Sequence, residues 1–221
     1  MNRLLARMTK TKLAISIFVV LLLIAMGFST KVVSLKEAND TFRTGTTSLQ
    51  ADQGKSKTFA DKQWPETLAY VKSKAYDLSE IDKAIQSDLA AAGPKYGHTD
   101  GPGNAYSVPV KFTGVGSDQI NDFLQMKVPG ITGSVTVYMQ VGPALNGTAL
   151  RDVTGTVSFQ NFVNQLAYQD ASTKLNDIVR ETVLKPYPPK SLVGKTIEVV
   201  GAMSLSNKTN YIIIPVELKV K

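Results

Sequence analysis

The rhythm of apolar and polar positions changes several times along the chain. Leu13 to Phe28, LAISIFVVLLLIAMGF, is apolar and uncharged. Residues 31–58 are polar and show no strong period beyond a short helix around Leu35 to Phe42, which predicts a stalk. In KQWPETLAYVKSKAYDL the apolar positions Trp64, Leu68, Val71 and Ala75 fall on one helical face. Pro65 suits a first helical turn and Glu66 complements the dipole there. In DLSEIDKAIQSDLAAAG, Ile81, Ala84, Ile85 and Leu89 form a second stripe. Asp77 or Ser79 can cap this helix, and Gly93-Pro94 is expected to end it.

From residue 105 the period shortens to two. YSVPVKFTGVG, ITGSVTVYMQVG and DVTGTVSFQNF read as three strands. NQLAYQDASTKLNDIVRETVL returns to helical spacing, with Tyr168, Ala171, Leu175, Ile178 and Thr182 on one face, and Pro186, Pro188 and Pro189 stop it. GKTIEVVGAMSL and NYIIIPVELKVK are two further strands around the turn SNKTN. Three strands, a helix and two strands is the order of an oligonucleotide/oligosaccharide-binding (OB) barrel. The expected fold is therefore α+β and mainly β: an OB-like five-stranded Greek-key barrel with a helix between strands 3 and 4. A generic α+β sandwich would produce a similar string. The expected organisation is an anchor over residues 1–30, a stalk over 31–58, and a domain over 59–221. That domain divides into a helical part, 59–95, and a barrel, 105–221.

Charge sharpens the reading of the N-terminus. Arg3, Arg7, Lys10 and Lys12 precede the apolar run, and no acidic residue occurs before Glu37. The uncharged stretch from Leu13 to Thr30 covers about 27 Å as a helix, against about 30 Å of bilayer hydrocarbon. Basic residues on its N-terminal side predict that end inside and the rest of the chain outside. An uncleaved single-pass signal anchor and a cleaved signal peptide with a poor site at Ala25-Met26-Gly27 both fit. Without those four cations, 21 basic residues face 18 acidic ones, a net charge of +3 rather than +7. A body so nearly balanced argues against nucleic acid as a partner. The chain has no cysteine. Disulfides, thiolate metal sites and a lipidated cysteine are thereby excluded in it.

Candidate chemistry is sparse. His98, the only histidine, sits in the Gly-rich loop KYGHTDGPGN, where solvation competes with a catalytic role. No second histidine could complete a zinc site, no phosphate loop is present, and no Gly-x-Ser-x-Gly elbow occurs. Asp170, Lys174 and Asp177 form an ion-pair row along one helix. Arg151 and Asp152, read as strand neighbours, would point to opposite faces. Arg151 is either a forked donor to a ligand carboxylate, phosphate or sugar, or half of an internal pair. Asn161 or Asn164 can cap the following helix, and Gln165 begins it. The candidate ligand- or partner-binding residues are Arg151, Asp152, Asn164, Gln165 and Tyr138. No catalytic residue, metal or cofactor is implied.

VGPALNGTALRDVTGTVSFQNFVNQLAY resembles domain-of-unknown-function family 2291, a family of predicted periplasmic lipoproteins. The matching positions are Gly142, Pro143, Gly147, Thr148, Arg151, Asp152, Phe159, Phe162, Asn164 and Gln165. KYG at 95–97, GKTIEVVGAM, IIIPVELKVK and KVVSLKEA are similar too, so the resemblance spans roughly residues 31–221. It implies an exported, membrane-attached protein that serves a sugar-type ABC transporter, and it carries no catalytic residues. The family's lipobox cysteine would lie just before KVV, where this chain has Ser29 and Thr30. A transmembrane helix would have to do the anchoring instead.

The expected function is that of a non-enzymatic, membrane-anchored extracytoplasmic accessory protein. Its partner would be a transporter component or solute-binding protein of a sugar or nucleoside ABC uptake system. The alternatives are a stand-alone ligand- or glycan-binding module of the envelope, and an envelope hydrolase built on His98, Asp152 and Arg151.

Overall fold

The computed structural model describes residues 35–101 and 103–221, with side chains from residue 55 onward. The predicted anchor, Leu13 to Phe28, lies outside these residues. Among the described residues no helix is long and apolar enough to cross a membrane. The compact unit that carries the barrel spans Gln50–Lys221.

Helix α1 is Leu35–Lys74. It therefore includes residues expected as a stalk and runs through Pro65, which was expected to start a helix. The reason lies in its buried face. Ser56, Ala60, Thr67 and Val71 are all buried, at helical spacing on both sides of the proline, with Trp64 partly buried between them. Pro65 removes only the bond to the carbonyl of Asp61, an exposed position that water can reach. The packing on both sides outweighs that loss.

The next helical segment is split. Helix α2, Leu78–Ser87, is capped by Asp77, whose carboxylate accepts from Ser79 N at 2.9 Å. Asp88 is extended, ends α2, and caps helix α3, Leu89–Tyr96, by accepting from Ala90 N and Ala91 N. Gly93 and Pro94 lie inside α3 rather than ending it. Gly93 is needed there because a Cβ would fall 2.4 Å from the Tyr106 ring.

Tyr76–Asp77 forms a short strand, β1, parallel to β2. The barrel strands are β2 (Tyr106–Ile120), β3 (Phe123–Lys127), β4 (Thr136–Gln140), β5 (Thr196–Leu205) and β6 (Asn210–Val220). The sheet runs β1-β2-β3-β4-β6-β5 and closes through β2–β5. The long strand β2 makes closure possible. Tyr106 to Val115 pair with β5, and Val115 to Ile120 pair with β3. Strand β4 pairs with β6 in parallel, and all other barrel neighbours are antiparallel. Inward alternation puts Val108, Val110, Leu124, Met126, Val137, Met139, Ile197, Val199 and Ile213 in one core.

The order of strands and helix is as expected, and ITGSVTVYMQVG does contain a strand, β4, but it is the third of the barrel rather than the second. Strand β3 was passed over, and DVTGTVSFQNF is not a strand. Ala149–Asp152 is a short helix, α4, and Phe159–Asn161 is a 3-10 turn. Gly155 between them has φ +70°, a left-handed conformation that breaks an extended run. There is also no vacant edge for such a strand, since β4 is already flanked by β3 and β6.

Helix α5, Gln165–Val179, follows, capped by Asn164, whose side chain accepts from Ala167 N at 2.7 Å. It buries Ala171, Leu175 and Val179 and continues into a π turn at Arg180–Leu184.

A buried carboxylate ties the helices to the barrel. Asp82 of α2 accepts from Tyr211 OH of β6 at 2.6 Å and from Thr132 N and Oγ1 at 2.8 and 2.7 Å. Burial alone would raise its pKa, but these hydrogen bonds and one from Gln86 outweigh burial and hold it below the ordinary aspartate value.

Candidate functional site

The segment between β4 and α5 is held by side chains that replace a ladder. Gln140 at the end of β4 donates to Asn146 O and accepts from Asn146 N, both at 2.7 Å. Asn176 of α5 donates to Leu145 O at 3.3 Å and Gly147 O at 3.1 Å. Gly142 passes so close to Asp122 that a Cβ would overlap that side chain, and its N–H donates to Asp122 O at 3.0 Å. These contacts deliver Thr148 as the residue before α4. Both Arg151 N and Asp152 N then donate to Thr148 O at 3.0 Å.

On this single turn Arg151 and Asp152 do not point to opposite faces. They bind each other. Arg151 Nε donates to Asp152 Oδ1 at 2.6 Å and Nη2 to Asp152 Oδ2 at 3.0 Å. Arg151 Nη1 donates to Tyr168 O at 3.2 Å, and Nη2 reaches Asp100 Oδ2 at 3.5 Å. The guanidinium carbon lies 3.5 Å from the centre of the Tyr168 ring. Tyr168 OH donates to Asp100 Oδ2 at 2.5 Å, and Asn104 Nδ2 donates to Asp100 Oδ1 at 2.6 Å. Arg151 and Asp152 are both buried. The forked guanidinium is thus committed to protein groups, and it is not a free donor for an anion.

Electrostatics follow from this arrangement. One arginine faces two carboxylates, so the cluster carries a net single negative charge. Burial pushes the Asp100 carboxyl up, but the Tyr168 and Asn104 hydrogen bonds and the Arg151 charge prevail, and its pKa is lowered. Burial and then the bond to Asp100 raise the Tyr168 phenol, which stays protonated and donates.

A cavity of about 350 Å³ opens on this network. It is lined by Asp100, Asn104, Thr148, Arg151, Asp152, Phe159, Gln165, Tyr168 and Gln169, with Ala105. Four separate pieces of chain meet there: the loop before β2, helix α4 with the residue before it, the 3-10 turn at Phe159, and the first turns of α5. Phe159 and Phe162 pack edge-on or tilted against Tyr168, with centroids 5.6 and 5.1 Å away.

Of the residues expected at the site, Arg151, Asp152 and Gln165 come together in this cavity. Asn164 lies beside it as the cap of α5. Tyr138 is elsewhere, on β4 between Gln125 and Ile212, with its ring 6.0 Å from that of Phe123. Its outward position on a barrel strand keeps it from the cavity. His98 is not among the lining residues. Its Nε2 lies 3.0 Å from Tyr70 OH, and its ring covers Gly155. The geometry needed by the hydrolase alternative, His98 and Arg151 in one cleft, is therefore absent from this cavity. Among the described residues no group of three or more His, Cys, Asp or Glu is placed to hold a metal.

Asp100, Asn104, Tyr168 and Gln169 were not foreseen. Tyr168 was placed correctly on the buried face of its helix, but nothing local indicates where its hydroxyl goes. Asp100 lies in the loop considered only for His98, and 51 residues separate it from Arg151.

The family model described as predicted periplasmic lipoprotein (DUF2291) matches residues 18–219. The chain belongs to this family. As a DUF2291 protein it is envelope-associated and extracytoplasmic in kind, which agrees with the direction read from the basic N-terminus. Among solved structures, an OB-fold protein from Thermotoga maritima is similar, at 19% identity with a TM-score of 0.63, covering 75% of this chain and 98% of that one. That likeness supports the barrel topology of this DUF2291 chain. No curated protein matches it. Five of the positions that carried the family resemblance, Thr148, Arg151, Asp152, Phe159 and Gln165, line the cavity of the DUF2291 domain.

Proposed function

We propose that this DUF2291 protein is a non-catalytic extracytoplasmic binding module, held at the membrane by the Leu13–Phe28 segment, that serves a sugar or nucleoside ABC uptake system. Its ligand is a small, uncharged, hydroxyl-rich solute taken up at the Arg151 cavity. The supporting observation is the cavity itself. Its arginine is neutralised by Asp100 and Asp152, so its remaining character is that of acceptors, the carboxamides of Gln165 and Gln169, and the exposed ring of Phe159. Such a lining suits hydroxyl donors and disfavours anions. Its volume lies within the ordinary range for small-ligand sites.

A thermal-shift screen of sugars and nucleosides tests this reading. At a hundredfold excess over Kd a ligand adds about 2.7 kcal/mol, a shift of several degrees for a chain of this size. A flat response across the screen refutes ligand binding. A pull-down with the intact N-terminus tests the transporter association: recovery of a transporter subunit or solute-binding protein supports it. Recovery of neither, with a positive thermal shift, leaves the stand-alone envelope module as the correct reading.

A further inference from the structure

Helices α1 and α5 touch where Ser56 Oγ donates to Ala167 O at 3.2 Å, and beside that contact a cleft of about 440 Å³ opens between them. Helical spacing decides what lines it. Lys57, Asp61 and Trp64 share one face of α1. Lys174, Asp177 and Ile178 share one face of α5, which the π turn extends. The cleft has no residue in common with the Arg151 cavity.

Trp64 and Ile178 supply its apolar surface. Trp64 is the only tryptophan of the chain, and it is half-buried, packed in part on the core. The charged groups around it are balanced. Lys57 Nζ donates to Asp61 Oδ2 at 2.8 Å, and Arg180 Nη1 donates to Asp177 Oδ1 at 2.7 Å. Glu181 accepts from Arg180 Nε at 3.3 Å and from Lys185 Nζ at 3.4 Å. With Lys174 and Asp170, these make four cations and four carboxylates. Such a rim has no net charge with which to select an ion.

Hydrogen-bonding capacity is left over all the same. The row Asp170, Lys174, Asp177 places Lys174 Nζ 3.9 and 3.8 Å from its two carboxylates, too far for hydrogen bonds. Its donors are therefore held beside the tryptophan without being spent. A purely apolar compound in the cleft would desolvate these groups and give nothing back. A neutral ring with hydroxyls on its edge and C–H groups on one face satisfies both parts, because the electron-rich face of an indole suits the C–H side of a saturated ring.

We propose that the Trp64 cleft is a second solute site and that it takes a neutral pyranose sugar. The C–H face of the sugar lies on Trp64 and Ile178, and its hydroxyls accept from Lys174 Nζ and donate to Asp61 and Asp177. This inference rests on the sugar reading given above, but not on the Arg151 cavity.

Trp64 is its own reporter. The full-length chain, in a detergent without a sugar headgroup, is titrated with neutral hexoses and with nucleosides while tryptophan emission is read, with and without acrylamide as a neutral quencher. Lys174→Met and Gln165→Ala are titrated alongside, and calorimetry follows the same sugar on Trp64→Phe, which keeps a ring but loses the reporter. The expected result is that at least one hexose changes Trp64 emission saturably and shields it from acrylamide. Lys174→Met, a change at the helix surface, should weaken that binding by about tenfold or more, and Trp64→Phe should weaken it too. No saturable change with any hexose overturns the proposal, as does a change without shielding or a response to nucleosides alone. Unaltered affinity in Lys174→Met overturns it as well. A response lost in Gln165→Ala belongs to the Arg151 cavity, so it overturns this site and leaves the earlier reading standing.

Discussion

Arg151 and Asp152, adjacent in sequence, are bound to each other through two hydrogen bonds of 2.6 and 3.0 Å and are buried together. A pair of this kind is a structural anchor that also shapes the cavity wall. Removing one partner leaves buried charge without compensation, which typically costs about 3–5 kcal/mol. Arg151→Ala is expected to lower stability by that order, because it strands Asp100 as well as Asp152. Arg151→Lys keeps the charge but loses the fork, and should recover only part of the loss. Urea denaturation of the three proteins measures it. Equal stability of Arg151→Ala and the unmodified chain would rule out the network described.

Asp82 and Asp100, the most enclosed of the carboxyls with lowered pKa values, contribute to the acid side of the stability profile. Both have pKa values lowered in the folded protein. A lowered carboxyl contributes stability that is fully present above its unfolded pKa of about 3.9 and is lost as pH falls through the folded value. Stability should therefore be level in this respect near neutrality and fall below about pH 4. Asp82→Asn should be less stable at pH 7 and show a shallower decline on acidification. Unfolding curves across the acid range check both, and an unchanged slope would contradict the role given to Asp82.

Gly155 is needed for two separable reasons. Its φ is +70°, and a Cβ there would lie 2.8 Å from His98 Cγ and Nδ1. Gly155→Ala should cost about 1–3 kcal/mol. Combining it with His98→Ala removes the steric part and leaves the backbone part. A double-mutant cycle measures the coupling, which should be favourable. Zero coupling would mean that the ring does not press on Gly155.

Strand β3 offers a test of the barrel itself. Leu124 is fully buried and pairs with Met139 of β4. Leu124→Ala should destabilise by about 2–5 kcal/mol, as for core leucines elsewhere. A cost below 1 kcal/mol, as expected for a surface site, would mean that 123–127 is not in the core.

Much of this architecture could be read from the chain, and the failures have physical causes. In FLQMK, Leu124 and Met126 alternate inward, but five residues of which the last is a lysine make a weak signal. Asp152 to Phe162 gave a false one. Val153 and Val157 are buried and alternate with polar residues, as in a strand, yet Gly155 turns left-handed between them. Helical spacing located α5 and its cap. It located Tyr168 on the buried face but could not show that its hydroxyl meets Asp100, because that contact depends on the closed barrel bringing the loop before β2 to α5. Arg151 is legible in the sequence as a candidate site residue. Its partner, read as pointing away on a strand, proved to be its neighbour on a helical turn.

The most direct test of the central claim is calorimetric titration of the protein with a neutral sugar, a neutral nucleoside and the phosphorylated form of each. The single net negative charge of the Arg151 cluster predicts saturable binding of a neutral compound and at least roughly tenfold weaker binding of its phosphorylated form, a difference of about 1.4 kcal/mol. Gln165→Ala should weaken the neutral compound's binding while leaving the fold intact. Tighter binding of the phosphorylated form, or no binding by any of the four, would contradict the account.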